Sequence, residues 1–144
     1  MVEITFYEKP GCLANRRQKA LLRESGHRLE VRDLLVEPWT PATLRPFFGA
    51  LPVRDWFNPS APAVKSGAVR PGAVSEHAAL AAMCADPLLI RRPLMAVGET
   101  RRAGFDAGAV AAWVGLSDPA ADVGDTCLKS ENAAGRSAGP ARGP

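Results

Sequence analysis

The sequence predicts an α/β domain, and three patterns support that prediction. Residues 2–6 alternate between apolar and polar side chains, which is typical of a half-buried strand. A basic amphipathic segment follows a Pro-Gly turn, and a second apolar segment begins at Leu29. Strand, helix and strand with short connections imply a right-handed crossover and a parallel pair. A further pair of strands, separated from the first by a helical insert, is expected after residue 88.

The first helix is expected to begin at or just after Cys12 and to end at Gly26. Residues 20–22 give it an apolar side, and the arginines and lysine around them give it a polar side. Glycine commonly follows a helix C-terminus because it adopts positive φ without steric cost. The second strand is predicted around Asp33, with apolar residues at 29, 31 and 34.

A helical insert is predicted at about residues 38–87. Thr40-Pro41 indicates a helix start, with a capping hydroxyl followed by proline in the first turn. The other expected elements are a short helix at 53–57, a loop at 61–72 and a helix that is capped by Ser75 and reaches Cys84.

The predicted hairpin follows the insert. Its first strand runs over residues 88–97 and is interrupted by Pro93, and its partner strand ends near Phe105. Asp106 then caps a last helix, whose inward side chains are expected to be Val110, Trp113 and Val114.

The ordered domain is expected to cover residues 1–116. Apolar periodicity is lost beyond it, and residues 117–144 consist mainly of Gly, Ala, Pro and Ser with scattered charge, so they are predicted to be a disordered tail.

Composition excludes several classes of function. The chain has 144 residues and a formal charge of +3, with both signs mixed, which is too weakly basic to indicate direct binding of nucleic acid. No apolar stretch approaches the roughly 20 residues of a membrane span, and no cleavable leader is recognised. The three cysteines form no metal-binding or CxxC pattern, so a cytoplasmic, reducing location is expected and no metal site is assigned.

Several motifs resemble a known family. The strings "FYEKPGC", "ALPVRDWF" and "DPLLIRRPLM" resemble the arsenate reductase (ArsC) and Spx-like family, a glutaredoxin-type branch of the thioredoxin-like fold. The longer strings "EKPGCxxNxRQKxLL", "VRDLLxEPW" and "WFNxxAPxVKSG" look like its nitrogenase-associated subgroup, found among nitrogen-fixation genes. The resemblance covers about residues 2–116 and implies a mixed four-stranded sheet with a helical insert.

Cys12 is the candidate nucleophile. A cysteine at a helix N-terminus lies at the positive end of the helix dipole and near unpaired backbone N–H groups, and both favour the thiolate. Glu8 opposes this effect unless Lys9 screens it, and the resemblance places a histidine of the arsenate-reducing relatives at the position of Glu8. The alternative is a small, inert, buried thiol, because free cysteine is among the most buried residue types.

The other cysteines limit the redox cycle. Asn15 stands where the resemblance places the second cysteine of dithiol relatives, so a local disulfide cannot form. A cycle must be monothiol, or must recruit Cys127 as a resolving thiol from the tail, although an incidental thiol is the simpler interpretation of Cys127. Cys84 lies on an apolar helix and is expected in the core.

The resemblance also implies an anion site. Arg92 and Pro93 match the family's arginine and cis-proline, which would position glutathione or a substrate thiol together with Gly11 and Asn15; an edge-strand proline is the alternative for Pro93. The family holds arsenate with three arginines, and the other two are replaced here by Asn58 and approximately Gly104. The expected substitutes, whose alternative role is solvated surface charge, are Arg54, Arg101 and Arg102.

Three hypotheses of function remain open. The first is a nitrogenase-associated, monothiol thiol–disulfide oxidoreductase with no tightly bound cofactor and with glutathione as co-substrate or glutaredoxin as partner. The second is a non-enzymatic binding or regulatory module that contacts a nitrogen-fixation protein or RNA polymerase through the insert and the hairpin. The third is an arsenate reductase that uses glutathione or glutaredoxin. None requires a nucleic acid or a membrane as partner.

Overall fold

The fold is built on a mixed four-stranded sheet. A computed structural model of the chain describes residues 2–116. The strands, in chain order, are β1 (Glu3–Glu8), β2 (Arg28–Asp33), β3 (Leu94–Val97) and β4 (Thr100–Ala103). Their spatial order is β2-β1-β3-β4, with β1 and β2 parallel and the other two pairs antiparallel. The predicted thioredoxin-like sheet is therefore confirmed.

Five α-helices accompany the sheet within the described residues. They are α1 (Leu13–Glu24), α2 (Pro41–Leu44), α3 (Pro62–Lys65), α4 (Glu76–Ala85) and α5 (Ala107–Val114), together with several single 3₁₀ turns in the insert. The caps of α2 and α4 are the predicted ones, because the Thr40 and Ser75 hydroxyls accept hydrogen bonds from the backbone N–H groups of Thr43 and Ala78. Asp106 occupies the N-cap of α5 without a side-chain capping bond.

The two faces of the sheet carry separate apolar clusters. Ile4, Phe6 and Met95 point to the face covered by α1 and α5. Leu94 and the ring of Tyr7 point to the other face, which the insert covers. This separation follows from the alternation of side chains along a strand. Within α5, Val110 is buried, whereas Trp113 and Val114 are only partly buried.

Two segments differ from the prediction. Residues 61–72, expected to be a loop, contain α3 and the start of a 3₁₀ turn at Pro71–Ala73. Both elements begin with proline, whose fixed φ and missing N–H suit the first position of a helix.

The strand expected from residue 88 starts only at Leu94. Pro87–Leu89 is a 3₁₀ turn capped by Asp86, and Ile90 forms an isolated bridge with Phe57. The Arg92–Pro93 peptide bond is cis, and proline has no N–H for the ladder, so regular pairing begins directly after it.

The end of the described chain is held by a buried histidine. His27 Nδ1 accepts a hydrogen bond from the Val2 amide at 3.1 Å, and Nε2 lies 2.7 Å from the Gly115 carbonyl oxygen. Since Nδ1 is the acceptor, Nε2 carries the proton and donates. Residues 117–144, including Cys127, lie outside the described residues. Within residues 2–116, no helix combines the length and the apolar character that a membrane crossing requires.

Candidate functional site

Cys12 lies at the junction of β1 and α1. Gly11 has a φ of +84°, a conformation that glycine adopts readily, and it turns the chain so that Cys12 becomes the N-cap residue of α1. The Cys12 amide donates to the Lys9 carbonyl at 3.1 Å, and its carbonyl accepts from the Arg16 amide at 3.1 Å. The predicted start of the helix is therefore confirmed.

The Cys12 sulfur faces the first turn of α1. Sγ accepts a hydrogen bond from the Asn15 amide at 3.4 Å, as a capping side chain does. The residue is only 4% exposed. The sulfur is thus positioned at the positive end of the helix, and its approach by a large reagent requires a narrow entry or a local opening.

Asn15 supports this turn from inside the protein. It is fully buried, its Oδ1 accepts from the Lys9 amide at 2.9 Å, and its Nδ2 donates to Gln18 Oε1 at 2.9 Å. The structure therefore gives Asn15 a structural role in the turn, whereas the sequence comparison had placed it at the edge where a substrate would bind.

Glu8 is paired with a different lysine from the one expected. Its carboxylate lies 2.5 Å from Lys19 Nζ, and both side chains are mostly buried. Lys9 was expected to screen Glu8, but the ion pair is made by Lys19, which is seven residues after Cys12 and so on the same face of α1. The helical period places Lys19 on the side of α1 that carries Cys12, but which carboxylate it pairs with depends on the packing of α1 against β1.

Pro93 lies beside the cysteine turn by strand register. Tyr7 is opposite Leu94, so the cis Arg92–Pro93 bond is level with the C-terminal end of β1, just before the turn that carries Cys12. The Pro93 carbonyl accepts a hydrogen bond from the Gly104 amide at 2.8 Å. The cis bond implied by the family resemblance is therefore present.

Arg92 is buried and its guanidinium is incompletely bonded. The residue is 5% exposed, and its Nε and Nη1 atoms have no hydrogen-bond partner among the residues the structure describes. It lines a cavity of about 220 Å³ together with Arg54, Arg91 and one acidic residue, Asp55, so that three arginines face one carboxylate. A buried cation with free donors is costly unless an anion or water completes it, so this cavity is the best candidate for an anion site.

The three arginines expected to replace the missing anion-site arginines do not lie together. Arg54 lines the cavity with Arg92, as the hypothesis requires. Arg101 does not: it lies over the Phe47 ring at 5.8 Å and lines a second groove, where Arg102 also lies. Arg91, which the sequence analysis did not single out, lines both. Arg91 reaches these two cavities only because the segment after α4 packs against the insert.

The two residues that replace family arginines have structural roles. Asn58 Nδ2 donates to the Leu88 carbonyl at 3.3 Å, and its Oδ1 accepts from the Ser60 amide at 3.0 Å. Gly104 has a φ of +80°, which a side chain rarely adopts, and it bonds Pro93 as described above. Neither residue supplies charge to the cavity.

Cys84 is separate from this site. Its side chain packs against the insert cluster, and burial raises the pKa of the Cys84 thiol above its ordinary value. A raised pKa lowers its thiolate fraction near neutrality. Cys84 was expected in the core, but it is half-buried at the margin of the insert cluster.

No protein-family model matches the chain. A curated relative from Rhodospirillum rubrum, described as an uncharacterized 15.7 kDa protein in the draG 3' region, is 59% identical over 129 residues, which cover 88% of this chain and 89% of the relative. An arsenate reductase structure from Vibrio cholerae is 25% identical with a TM-score of 0.61, covering 71% of this chain and 89% of its own. An arsenate reductase (ArsC) related protein from Brucella melitensis is 20% identical with a TM-score of 0.59, covering 78% and 94%. The chain therefore belongs to one family with the Rhodospirillum rubrum protein, and its thioredoxin-like fold is that of arsenate reductase-like proteins.

Proposed function

We propose that the protein is a monothiol thiol–disulfide oxidoreductase in which Cys12 is the nucleophile. The observation that supports this most directly is the position of Cys12 at the N-cap of α1, level with the cis Arg92–Pro93 bond. The helix end favours a thiolate, and a strand edge beside it suits an extended peptide such as glutathione.

The proposed reaction has two exchange steps. The Cys12 thiolate attacks one sulfur of a disulfide, a Cys12–substrate disulfide forms, and the other sulfur leaves as a thiolate. The thiolate of glutathione then attacks that mixed disulfide, which returns Cys12 as a thiolate and leaves the substrate bound to glutathione through a new disulfide. Outside the Cys12 site, a second glutathione thiolate attacks this new disulfide and releases the substrate thiolate, so that two glutathiones together supply two electrons and become glutathione disulfide. Asn15 in place of a cysteine is the reason that glutathione serves as the second thiol.

Arg92 and Arg54 would bind the anionic part of the co-substrate. Glutathione carries two carboxylates, and a guanidinium binds a carboxylate through two parallel hydrogen bonds. The free Nε and Nη1 of Arg92 are the donors that such a group would use. Because Arg92 directly precedes Pro93, the anion site and the strand edge belong to one stretch of chain.

The test is the glutathione-dependent reduction of bis(2-hydroxyethyl) disulfide. We expect the wild type and Cys84→Ser to turn over the disulfide and Cys12→Ser to be inactive, with a Cys12–glutathione adduct detected by mass spectrometry after a single exposure to glutathione disulfide. Equal, low rates for all three proteins, with no adduct on Cys12, would disprove the redox function.

A binding or regulatory module is the second candidate. It is favoured by the burial of Cys12 and by the replacement of two anion-site arginines with Asn58 and Gly104. The motif strings and the draG-region description of the relative support a partner among nitrogen-fixation proteins. Co-purification from nitrogen-fixing cells distinguishes the two, because a binding module retains its partner in Cys12→Ser whereas a thiol enzyme loses it.

Arsenate reduction is the third candidate. The fold of the Vibrio cholerae arsenate reductase and the unpaired Arg92 donors support an oxyanion site, but a single arginine of the expected three is kept. Arsenate-dependent oxidation of glutathione that disappears in Cys12→Ser and in Arg92→Gln would establish it.

A further inference from the structure

A second groove follows the exposed edge of the sheet. β4 is paired only with β3 and is therefore an edge strand, with backbone groups available to another segment. The groove lies between residues 47–52 of the insert and the segment from β4 to α5, and its volume is about 660 Å³. Its apolar lining comes from Phe47, Phe48, Phe105, Val110 and Trp113.

Arginines outnumber carboxylates in the lining of this edge groove, and two of them lie on β4. Arg101 and Arg102 are neighbours on β4, so they project to opposite sides of the strand. Arg101 lies over Phe47 at 5.8 Å and Arg102 over Trp113 at 5.1 Å. Neither forms an ion pair with a carboxylate among residues 2–116. With Arg91 the lining holds three guanidiniums against one carboxylate, that of Asp106, so the groove keeps a net positive charge. Apolar walls with an excess of cations suit an extended segment that carries both acidic and small apolar side chains.

The chain itself continues from one wall of the groove. Trp113, in the last turn of α5, lines the groove, and Leu116 packs against the cluster beneath α5. Residues 117–128 contain three aspartates, two larger apolar residues and no lysine or arginine: Asp118, Asp122, Asp125, Val123 and Leu128. The negative charge of these aspartates is opposite to the positive charge of the edge groove, which α5 helps to line.

We propose that residues 117–128 bind along the β4 edge, with their aspartates at Arg101 and Arg102. An extended chain spans about 3.3 Å per residue, and Asp118 follows five residues after Trp113, whose ring centroid lies 5.1 Å from the Arg102 guanidinium. Attachment to α5 gives the segment an effective concentration of the order of millimolar, so individually weak contacts suffice. This binding is independent of the redox chemistry of Cys12.

The comparison with the Rhodospirillum rubrum relative is consistent with a shared segment. The match covers 88% of this 144-residue chain, which is more than residues 1–116 can supply. Part of the sequence after residue 116 therefore has a counterpart in that protein.

The test uses Cys127 as the attachment site for a nitroxide spin label. The protein is the full-length chain with Cys12→Ser and Cys84→Ser, labelled with ¹⁵N, and amide intensities are compared before and after reduction of the nitroxide. We expect the amide signals of residues 100–105 and the indole N–H signal of Trp113 to lose intensity. The amide signals of β2, at the opposite edge of the sheet, should remain unchanged. Combined Asp118→Asn, Asp122→Asn and Asp125→Asn substitutions should restore the lost signals, as should about 1 M salt.

Matched controls separate this contact from general attraction to a basic protein. Arg101→Gln with Arg102→Gln should remove the effect, whereas Arg23→Gln with Arg28→Gln, at exposed sites elsewhere, should leave it intact. Uniform intensity across the sheet in the labelled protein would overturn the proposal. A second experiment mixes ¹⁴N protein that carries the spin label with ¹⁵N protein that carries none. An equal loss of intensity in this mixture would also overturn the proposal, because the groove would then be occupied by a second copy.

Discussion

At the scale of single residues, the cysteine turn depends on side chains that have no reactivity of their own. The fully buried Asn15 side chain accepts a hydrogen bond from the Lys9 amide and donates one to Gln18 Oε1. Removing it would break both of these hydrogen bonds and leave a space in a fully buried site, and the loss of bonds to buried polar groups costs more than their formation contributes. The residue that excludes a second redox cysteine thus also holds the first one in place.

Asn15→Ala should therefore lower the free energy of unfolding by about 2–4 kcal/mol. Urea denaturation followed by far-ultraviolet circular dichroism measures this change. Arg17→Ala, at an exposed site on the same helix, is the matched control and should change stability by less than about 0.5 kcal/mol. Equal effects of the two substitutions would show that the Asn15 bonds contribute little.

The pair of Glu8 and Lys19 should control the reactivity of Cys12. Lys19→Met leaves the Glu8 carboxylate uncompensated near the turn, and a nearby negative charge disfavours a thiolate. We expect the midpoint of the Cys12 alkylation rate against pH to be higher in Lys19→Met than in the wild type. Lys9→Met should have little effect, and adding Glu8→Gln to Lys19→Met should reverse the change. A larger effect from Lys9→Met than from Lys19→Met would show that Lys9 is the residue that screens the Glu8 carboxylate.

Tyr7 should weaken the fold at alkaline pH. Burial, and secondarily the nearby Glu37 carboxylate, raise the pKa of Tyr7 above its ordinary value of 10.0. The folded state thus favours the neutral phenol, and this contribution to stability is complete below the unfolded pKa and is lost as pH rises through the higher folded pKa. Tyr7→Phe should therefore reduce the loss of unfolding free energy between about pH 8 and about pH 11. Denaturant titrations at these two pH values measure it, and parallel losses in both proteins would contradict the assignment.

At the scale of elements, capping residues nearby in the sequence determine where helices start, whereas contacts between distant segments determine the shape of other stretches. The starts of α1, α2 and α4 follow from capping residues that bond within three positions along the chain. The segment at 88–93 could not be predicted in the same way, because its shape depends on Asp86 at one end and on pairing of Ile90 with Phe57 from the insert. An apolar run alone does not distinguish a strand from such a segment.

His27 joins three elements and should be important for stability. Its ring bonds the chain before β1 and the end of α5, from a position between α1 and β2. His27→Ala removes both bonds and the packing of a buried ring, so we expect a loss of about 2–3 kcal/mol. His77→Ala, at an exposed position of α4, is the control. Hydrogen exchange should also show faster exchange in α5 of the His27 variant, and unchanged exchange there would mean that α5 is held by packing alone.

At the scale of the whole molecule, the sheet separates two apolar clusters. Ile4 lies in the cluster beneath α1 and α5, and Ile90 lies in the insert cluster. Both side chains are fully buried. Residues without shared partners usually contribute independently to stability.

Ile4→Val and Ile90→Val should each cost about 0.5–1.5 kcal/mol. The double variant should lose the sum of the two to within about 0.5 kcal/mol, because the clusters are on opposite faces. Equilibrium denaturation of the two single variants and the double variant measures the interaction energy. A substantial departure from the sum would show that the clusters are mechanically coupled through the sheet.

The sequence by itself determined the order of elements, the mixed sheet and the place of Cys12 at the start of α1, because periodicity, turns and caps act over a few residues. Only the tertiary structure decided that Lys19 and not Lys9 pairs with Glu8, that Arg54 joins Arg92, and that Arg101 lies at another groove. The physical reason is that charge pairing and cavity lining depend on which side chains meet after distant segments pack. Chain neighbours such as Arg91 and Arg92 can therefore differ, because Arg91 also reaches the edge groove and Arg92 does not, whereas residues nearly 40 positions apart, such as Arg54 and Arg92, line the same cavity.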